Sequence, residues 1–190
     1  LGSTINIGLV YNDSKAIGKI LEKLLGLVVE NNGHFQSVKF CEDYDGESWI
    51  ELDYPNMDTT FIDKMTKSYF VQIQSCLDLF QIEQLKTDIR IEKYDEFFGL
   101  LLLFNEDEIL PNYSIESLEK ITNSIINFIV EVHPVLNFDY AFCDHEAEIE
   151  YSPKEFKPEK YSLSFLPNLT NGVLGVRKSS WEINGLTERR

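Results

Sequence analysis

Phe97-Phe98-Gly99-Leu100-Leu101-Leu102-Leu103-Phe104 is an unbroken apolar run, set between Asp95-Glu96 on one side and Asn105-Glu106-Asp107-Glu108 on the other. Its eight residues fall far short of the roughly 20 that a membrane-spanning helix requires. A strand with one wet face alternates apolar and polar residues, whereas a run with no alternation and charged ends describes a central strand covered on both faces. The chain is therefore expected to build a sheet whose middle is buried, and the flanking segments must supply the cover.

Upstream of this run, Ile89 and Ile91 alternate with Arg90 and Glu92, and Tyr69, Val71 and Ile73 alternate in the same way. Both patterns predict strands. Cys76 to Leu85 fits strand or helix, and Thr59 to Lys67, after the loop-like Pro55-Asn56-Met57-Asp58, fits a short helix or the lead-in to a strand. His34 to Asp43 reads as extended, Asp45-Gly46 as a tight turn, and Glu47 to Tyr54 as a returning strand with Trp49 opposite in facing to Ile50, which makes a hairpin. At the start, Ile5, Ile7, Leu9 and Tyr11 alternate with Asn6, Gly8 and Val10, the period of a strand with one buried face. Asn12-Asp13-Ser14 offers N-cap oxygens to a helix striped by Ile17, Ile20, Leu21, Leu24 and Val28, and Asn31-Asn32-Gly33 suits its left-handed end. Leu1 to Ser3 reads as a remnant outside the fold.

Downstream, Ser114 is a good N-cap for a second helix with Glu116 in its first turn. Its stripe is Ile115, Leu118, Ile121, Ile125, Phe128, Ile129 and Val132, and Pro134 is expected to stop it. Phe138, Tyr140 and Phe142 then alternate as a strand that Asp144 to Tyr151 continues or pairs with. Residues 152–190 change texture: Pro153, Pro158 and Pro167 break them up, Asn171-Gly172 and Asn184-Gly185 mark turns, and Ser162–Leu166, Val173–Val176 and Trp181–Ile183 read as brief strands. The expectation is an α+β fold: a largely antiparallel sheet covered by two main helices. Its core spans 4–151, with 152–190 as a β-rich extension packed on the same domain.

The 190 residues, 43% hydrophobic with 13 Phe and 9 Tyr, can bury roughly 70% of the surface an unfolded chain exposes, which argues for one domain and against disorder. The charge is unevenly spread. Residues 1–150 hold 28 acids against 10 Lys and Arg, while 151–190 hold 4 against 7, so a body of −18 ends in a segment of +3 within the overall −15. Such a body repels nucleic acid and anionic lipid and raises the encounter rate with a cationic protein. Arg177, Lys178, Arg189 and Arg190 are expected to dock on their own acidic body. Cys41, Cys76 and Cys143 lie far apart and form no CxxC, which favours inert thiols and a cytoplasmic location, with one disulfide plus a free thiol as the alternative.

Glu42, Asp43, Asp45, Glu47, Glu51 and Asp53 put six acids in twelve positions around the hairpin, with Tyr44 and Trp49 interleaved. A solvated hairpin uses such charge to protect an edge; an interface uses the same combination of aromatic anchors and steering acids. Calcium binding fails on spacing: with Gly46 as the sixth residue of an EF-hand loop, Cys41 and Leu52 occupy the first and twelfth. A second cluster, Asp144, His145, Glu146, Glu148 and Glu150, read as a strand, turns its glutamates to one exposed face away from His145. His133 reads as a helix C-terminal histidine on the dipole. No nucleophile elbow, phosphate loop, dinucleotide fingerprint or zinc motif occurs, and no cofactor is expected.

The stretch Phe138-Asp139-Tyr140-Ala141-Phe142-Cys143-Asp144, after a helix ending at His133-Pro134, together with Trp181-Glu182-Ile183-Asn184-Gly185, resembles the small α+β immunity proteins of bacterial polymorphic-toxin systems. The resemblance implies a protein that neutralises a toxin by occluding it, with no catalytic residues of its own. Combined with the charge, it gives an expected partner: a basic toxin domain of nuclease type, met by Asp43, Tyr44, Asp45, Glu47 and Trp49 and, on a second surface, by Asp144, Glu146 and Glu148. Neither nucleic acid nor membrane is an expected partner. The alternative is a hydrolase whose carboxylates converge from both clusters, with or without a metal. A self-associating module built on Trp181 is a third possibility.

Overall fold

The computed structural model describes residues 2–43, 45–112, 114–167 and 173–185. Nine strands, β1 (Thr4–Asn12), β2 (His34–Cys41), β3 (Trp49–Asp53), β4 (Phe70–Leu79), β5 (Ile82–Lys93), β6 (Phe97–Asn105), β7 (Tyr140–His145), β8 (Leu163–Pro167) and β9 (Leu174–Lys178), form one sheet in the order β3-β2-β4-β5-β6-β1-β7-β8-β9. Every neighbouring pair is antiparallel. Among the described residues four α-helices accompany it: α1 (Ile17–Glu30), α2 (Thr59–Lys67), α3 (Glu106–Ile109) and α4 (Ile115–Leu136). The α+β class and the antiparallel sheet under two main helices, α1 and α4, agree with the sequence reading. The β-rich C-terminal segment lengthens the same sheet through β8 and β9.

The run 97–104 is β6, and it sits in the middle of the sheet beside β1. Both strands are buried on both faces, which corrects the expectation that β1 covers only one. Ile5, Ile7, Leu9 and Tyr11 pack with Leu100, Leu102 and Phe104 under the helices, against Leu21, Leu24, Ile125 and Ile129. Val10, Leu101 and Leu103 face the other way and pack with Tyr140, Phe142, Ile149 and Tyr161.

That second layer comes from an irregular strap, residues 146–161, which leaves β7 and crosses back over the sheet. Phe156 stacks on Tyr140 with ring centroids 3.8 Å apart, and Tyr161 stacks on Phe142 at 4.2 Å. The strap's backbone is tied down by the buried Asn6, whose Nδ2 donates to the Ala147 carbonyl at 2.8 Å, and by the Tyr140 hydroxyl on the Tyr151 carbonyl. An unpaired buried polar group costs about 1–3 kcal/mol, so these ties are what make an irregular cover over an apolar face tenable.

Local departures from the sequence reading have identifiable causes. α1 begins at Ile17 with Ala16 as an uncapped N-terminus, because the Asn12 side chain is turned to Ser14 instead. Its end follows expectation: Asn32 takes a left-handed φ of 55°. Thr59–Lys67 resolves as a helix, since Asp58 accepts from the Phe61 N–H as its cap. Pro134 does not stop α4, which runs on to Leu136. The proline removes one backbone bond near the end, while buried Leu136 and the left-handed Asn137 cap finish the helix two residues later. Ile115, placed in the stripe, is exposed, being the first residue of α4. Cys76–Leu85 is two strand ends joined by Phe80-Gln81, whose φ values of 56° and 64° make a primed hairpin turn without glycine. Burial of the Phe80 ring against Phe104 and Phe128 offsets that backbone strain.

Three further expectations change. Ser3 belongs to the fold: its carbonyl accepts from the Glu106 N–H at 3.0 Å and its hydroxyl donates to the Glu106 carboxylate. β7 ends at His145, and Glu146 turns out of it at φ 48°, so residues 146–150 are strap and not strand. In Trp181–Ile183 only an isolated bridge at Trp181 forms, followed by a turn. The Asn171-Gly172 turn, Arg189 and Arg190 lie outside the described residues, whereas Arg177 reaches the Glu159 carboxylate at 4.0 Å.

Gly8 is where the two layers come closest. A Cβ there would stand 2.2 Å from Phe142 Cε1, so the ring lies directly on the β1 backbone. Gly8→Ala is expected to destabilise by about 1–3 kcal/mol through overpacking, a fall in Tm of roughly 3 to 10 °C for a chain of this size. The double variant with Phe142→Leu should be less destabilised than the sum of the two single changes. Thermal denaturation of the four proteins checks both statements.

Candidate functional site

The strap covers β6, β1 and β7 but not the other half of the same face, where no described residue covers β3, β2, β4 and β5. Strand alternation places Trp49 and Glu51 of β3, Lys39 of β2, Phe70 and Gln72 of β4, and Arg90 and Glu92 of β5 on it. Lys39, Gln72 and Arg90 stand directly opposite one another across three strands. They form the floor of a depression of about 440 Å³, walled by Trp49, Phe70 and Tyr94.

The walls are exposed aromatic surface. Trp49, Tyr69, Phe70 and Tyr94 each keep between 42% and 48% of their area in solvent. Trp49 and Phe70 stack at 6.2 Å between centroids, the Lys39 amine sits 5.0 Å above the Trp49 ring, and Tyr94 stacks on Phe97 at 4.3 Å. Contiguous exposed aromatics of this kind mark interaction surfaces, where single scattered ones do not.

Charge in the depression is mixed. Arg90 is 3.5 Å from Glu148 on the strap, so the strap's edge forms one rim. Burial, with the nearby Glu148 charge, pushes the Glu92 carboxyl above its ordinary value. The Tyr94 hydroxyl lies 2.9 Å from both Glu92 and the Ile149 carbonyl. Its single proton serves one acceptor at a time, and a proton on Glu92 turns both contacts into hydrogen bonds. Lys93 spends its amine on the Thr66 and Ser68 carbonyls, pinning the end of α2 to β5, and burial lowers its pKa.

The residues singled out in the sequence divide into three groups. Trp49, Asp45 and Glu47 are exposed at the β2–β3 connection, and Glu146 and Glu148 are exposed on the strap. The structure thus brings Trp49 and Glu148, from the two separate clusters, to the borders of one open face. Asp43 and Asp144 are engaged internally. Asp43 accepts from the Glu47 and Ser48 N–H groups at 2.9 and 2.6 Å and holds the connecting loop. Asp144 accepts from the Ser162 N–H at 2.9 Å and the Ser162 hydroxyl at 2.7 Å, fastening β7 to β8. Tyr44 lies outside the described residues.

Sequence reading missed Lys39, Phe70, Gln72, Arg90 and Tyr94 as site residues. The signal was available for three of them: in the alternating patterns around Val71, Ile73, Ile89 and Ile91, the intervening Phe70, Gln72 and Arg90 belong to the opposite face.

Among the described residues, no three His, Cys, Asp or Glu side chains gather to hold a metal ion. β3 and β7, which border the two acidic clusters, are separated by five strands, and the strap carries Glu148 of the second cluster back as far as Arg90 on β5. His145 lies 3.6 Å from the buried Glu106. His133 stands in the last turn of α4 with its ring 4.6 Å from that of Phe138, and burial holds its pKa below the ordinary value. All three cysteines are buried free thiols. No helix among the described residues is long and apolar enough to cross a membrane.

The Asp43 carboxyl is pulled from 3.8 to about 2, chiefly by the Glu47 N–H. A folded-state value below the unfolded one means that its grip on the loop is complete above the unfolded value and fades as pH falls through the folded one. Carboxyl NMR should therefore show Asp43 titrating near 2, and amide exchange at Glu47 and Ser48 should accelerate as the pH drops from about 4 toward 2. Asp43→Ala should produce the same acceleration at neutral pH.

No curated protein sequence matches the chain. Among solved structures it is similar to a chain in the crystal structure of the toxic C-terminal tip of CdiA from Pseudomonas aeruginosa in complex with immune protein, at 10% identity over 83% of this chain and 99% of that one, with a TM-score of 0.49. It is also similar to a T6SS protein of Pseudomonas aeruginosa, at 7% identity over 76% of this chain and 41% of that one, with a TM-score of 0.39. The family described as Immunity protein 64 matches residues 1–189, nearly the whole length, and the chain belongs to that family.

Proposed function

We propose that the protein is a non-enzymatic inhibitor that binds a cognate toxin domain in the cytoplasm and occludes its working surface, the toxin being a basic domain of nuclease type. Membership of the immunity family carries the reading. The net charge of −15 supports a basic partner, because an anionic inhibitor captures a cationic domain faster than a neutral one does. A nuclease presents such a surface in order to hold phosphates.

The open face supplies the contact. Four strands at about 4.8 Å spacing and roughly seven residues of length give about 450 Å² of projected area, less than the roughly 800 Å² each partner contributes to a standard interface. The acidic loop at 42–48 and the strap's outer edge must therefore join it, which brings Asp45, Glu47, Glu146 and Glu148 to the rim around Trp49, Phe70 and Tyr94. Rim acids act on the rate of encounter and the aromatic centre on the lifetime of the complex.

The test takes as toxin the variable C-terminal domain of a secreted protein encoded beside this one in the source genome, and measures association and dissociation separately. Asp45→Lys with Glu47→Lys should slow association severalfold at low salt, and the difference should vanish near 1 M salt, where the Debye length is about 3 Å. Asp43 is left intact because it holds the loop. Trp49→Ala should raise Kd by about 30-fold, mostly through dissociation. Wild-type protein that neither binds nor neutralises the toxin would overturn the reading.

A further inference from the structure

The depression on the open face is cationic within an acidic protein. Lys39, Arg90 and Lys93 line it with Glu92 as the one acid of the lining, while Glu51, Asp88 and Glu148 flank it, in a chain of 32 acids and 17 Lys and Arg. Lys39 makes no ion pair among the described residues. Arg90 uses one end of its guanidinium on the exposed Glu148, which leaves most of its five donors open. Lys93 contributes field alone, since its amine is taken by carbonyls. Gln72 lies between the two available cations and donates to Asp88 at 2.9 Å, so its side chain is fixed there.

We infer that this depression receives a carboxylate side chain of the toxin, seated on Lys39 and Arg90 between the Trp49, Phe70 and Tyr94 rings. The inference rests on the toxin-binding reading and specifies its chemistry: the partner's surface is basic where it meets Asp45 and Glu47 and carries one acidic anchor at its centre. Aromatic walls exclude water from the contact, which strengthens a charge-assisted bond to a guanidinium. A partner that was uniformly basic would leave Lys39 and Arg90 facing like charge, so the arrangement also discriminates against generic cationic proteins.

The test begins without the toxin. In a Trp181→Phe background, where Trp49 is the remaining indole, emission is titrated with acetyl-Leu-Asp-amide and acetyl-Leu-Asn-amide at matched ionic strength. A saturable response to the aspartate peptide is expected, roughly tenfold weaker for the asparagine peptide and abolished by Lys39→Gln with Arg90→Gln. Equal responses, or none at tens of millimolar, overturn the assignment. With the toxin domain, Arg90→Glu should weaken binding at least tenfold, and a single acid-to-lysine change on the toxin should restore it. Tight toxin binding unaffected by Arg90→Glu overturns the pocket assignment while the inhibitor reading stands. A positive peptide result with no toxin binding removes the toxin as source of the carboxylate and defeats that reading instead.

Discussion

The β1–β6 pair is apolar on both faces and has to be dry on both, and the rest of the molecule is arranged around that requirement. Helices solve it on one side, where α1 and α4 offer ready-made stripes of Leu, Ile and Val. On the other side the described residues offer no third long helix, and an irregular strap does the work with stacked aromatic rings and a few hydrogen bonds to its own backbone. A strap reaches only so far. It shields β6, β1 and β7 and stops at Arg90, and the wetter strands beyond it, with their Lys, Gln, Arg and Glu side chains, are the ones left open.

Position in the sheet therefore sets which surface is available for binding. The half carrying Leu101, Leu103 and Phe142 had to be covered, and the half carrying Lys39, Gln72 and Arg90 did not. The aromatic residues on this open half are the exception, since Trp49, Phe70 and Tyr94 keep much of their area in water at a place where nothing in the fold needs them exposed.

The sheet, the two main helices and the hairpin were legible because hydrophobic period reports burial directly: 97–104 as a doubly covered strand, Leu118 to Val132 as a stripe, and Glu47 to Tyr54 as a returning strand. Features that depend on tertiary partners were not. Pro134 is a local stop signal overridden by the burial of Leu136, and Phe80-Gln81 makes a turn that glycine would normally make because its ring finds Phe104 and Phe128. The acidic clusters were visible as composition, but sequence could not separate acids spent on backbone, such as Asp43 and Asp144, from acids left in water, such as Asp45 and Glu148. The cationic floor was hidden for a simpler reason: Lys39, Gln72 and Arg90 are neighbours only through strand pairing.

The strap has two sides with separate duties. Ile149 presses on Gly99, where a Cβ would stand 2.2 Å from its Cδ1, while Glu146, Glu148 and Glu150 point to solvent. Exchanging the outward glutamates would leave the inward packing as it is, so one backbone path can present different charge patterns to different opponents. A lineage facing a changing set of toxins could retune recognition along this segment without having to solve the folding problem again.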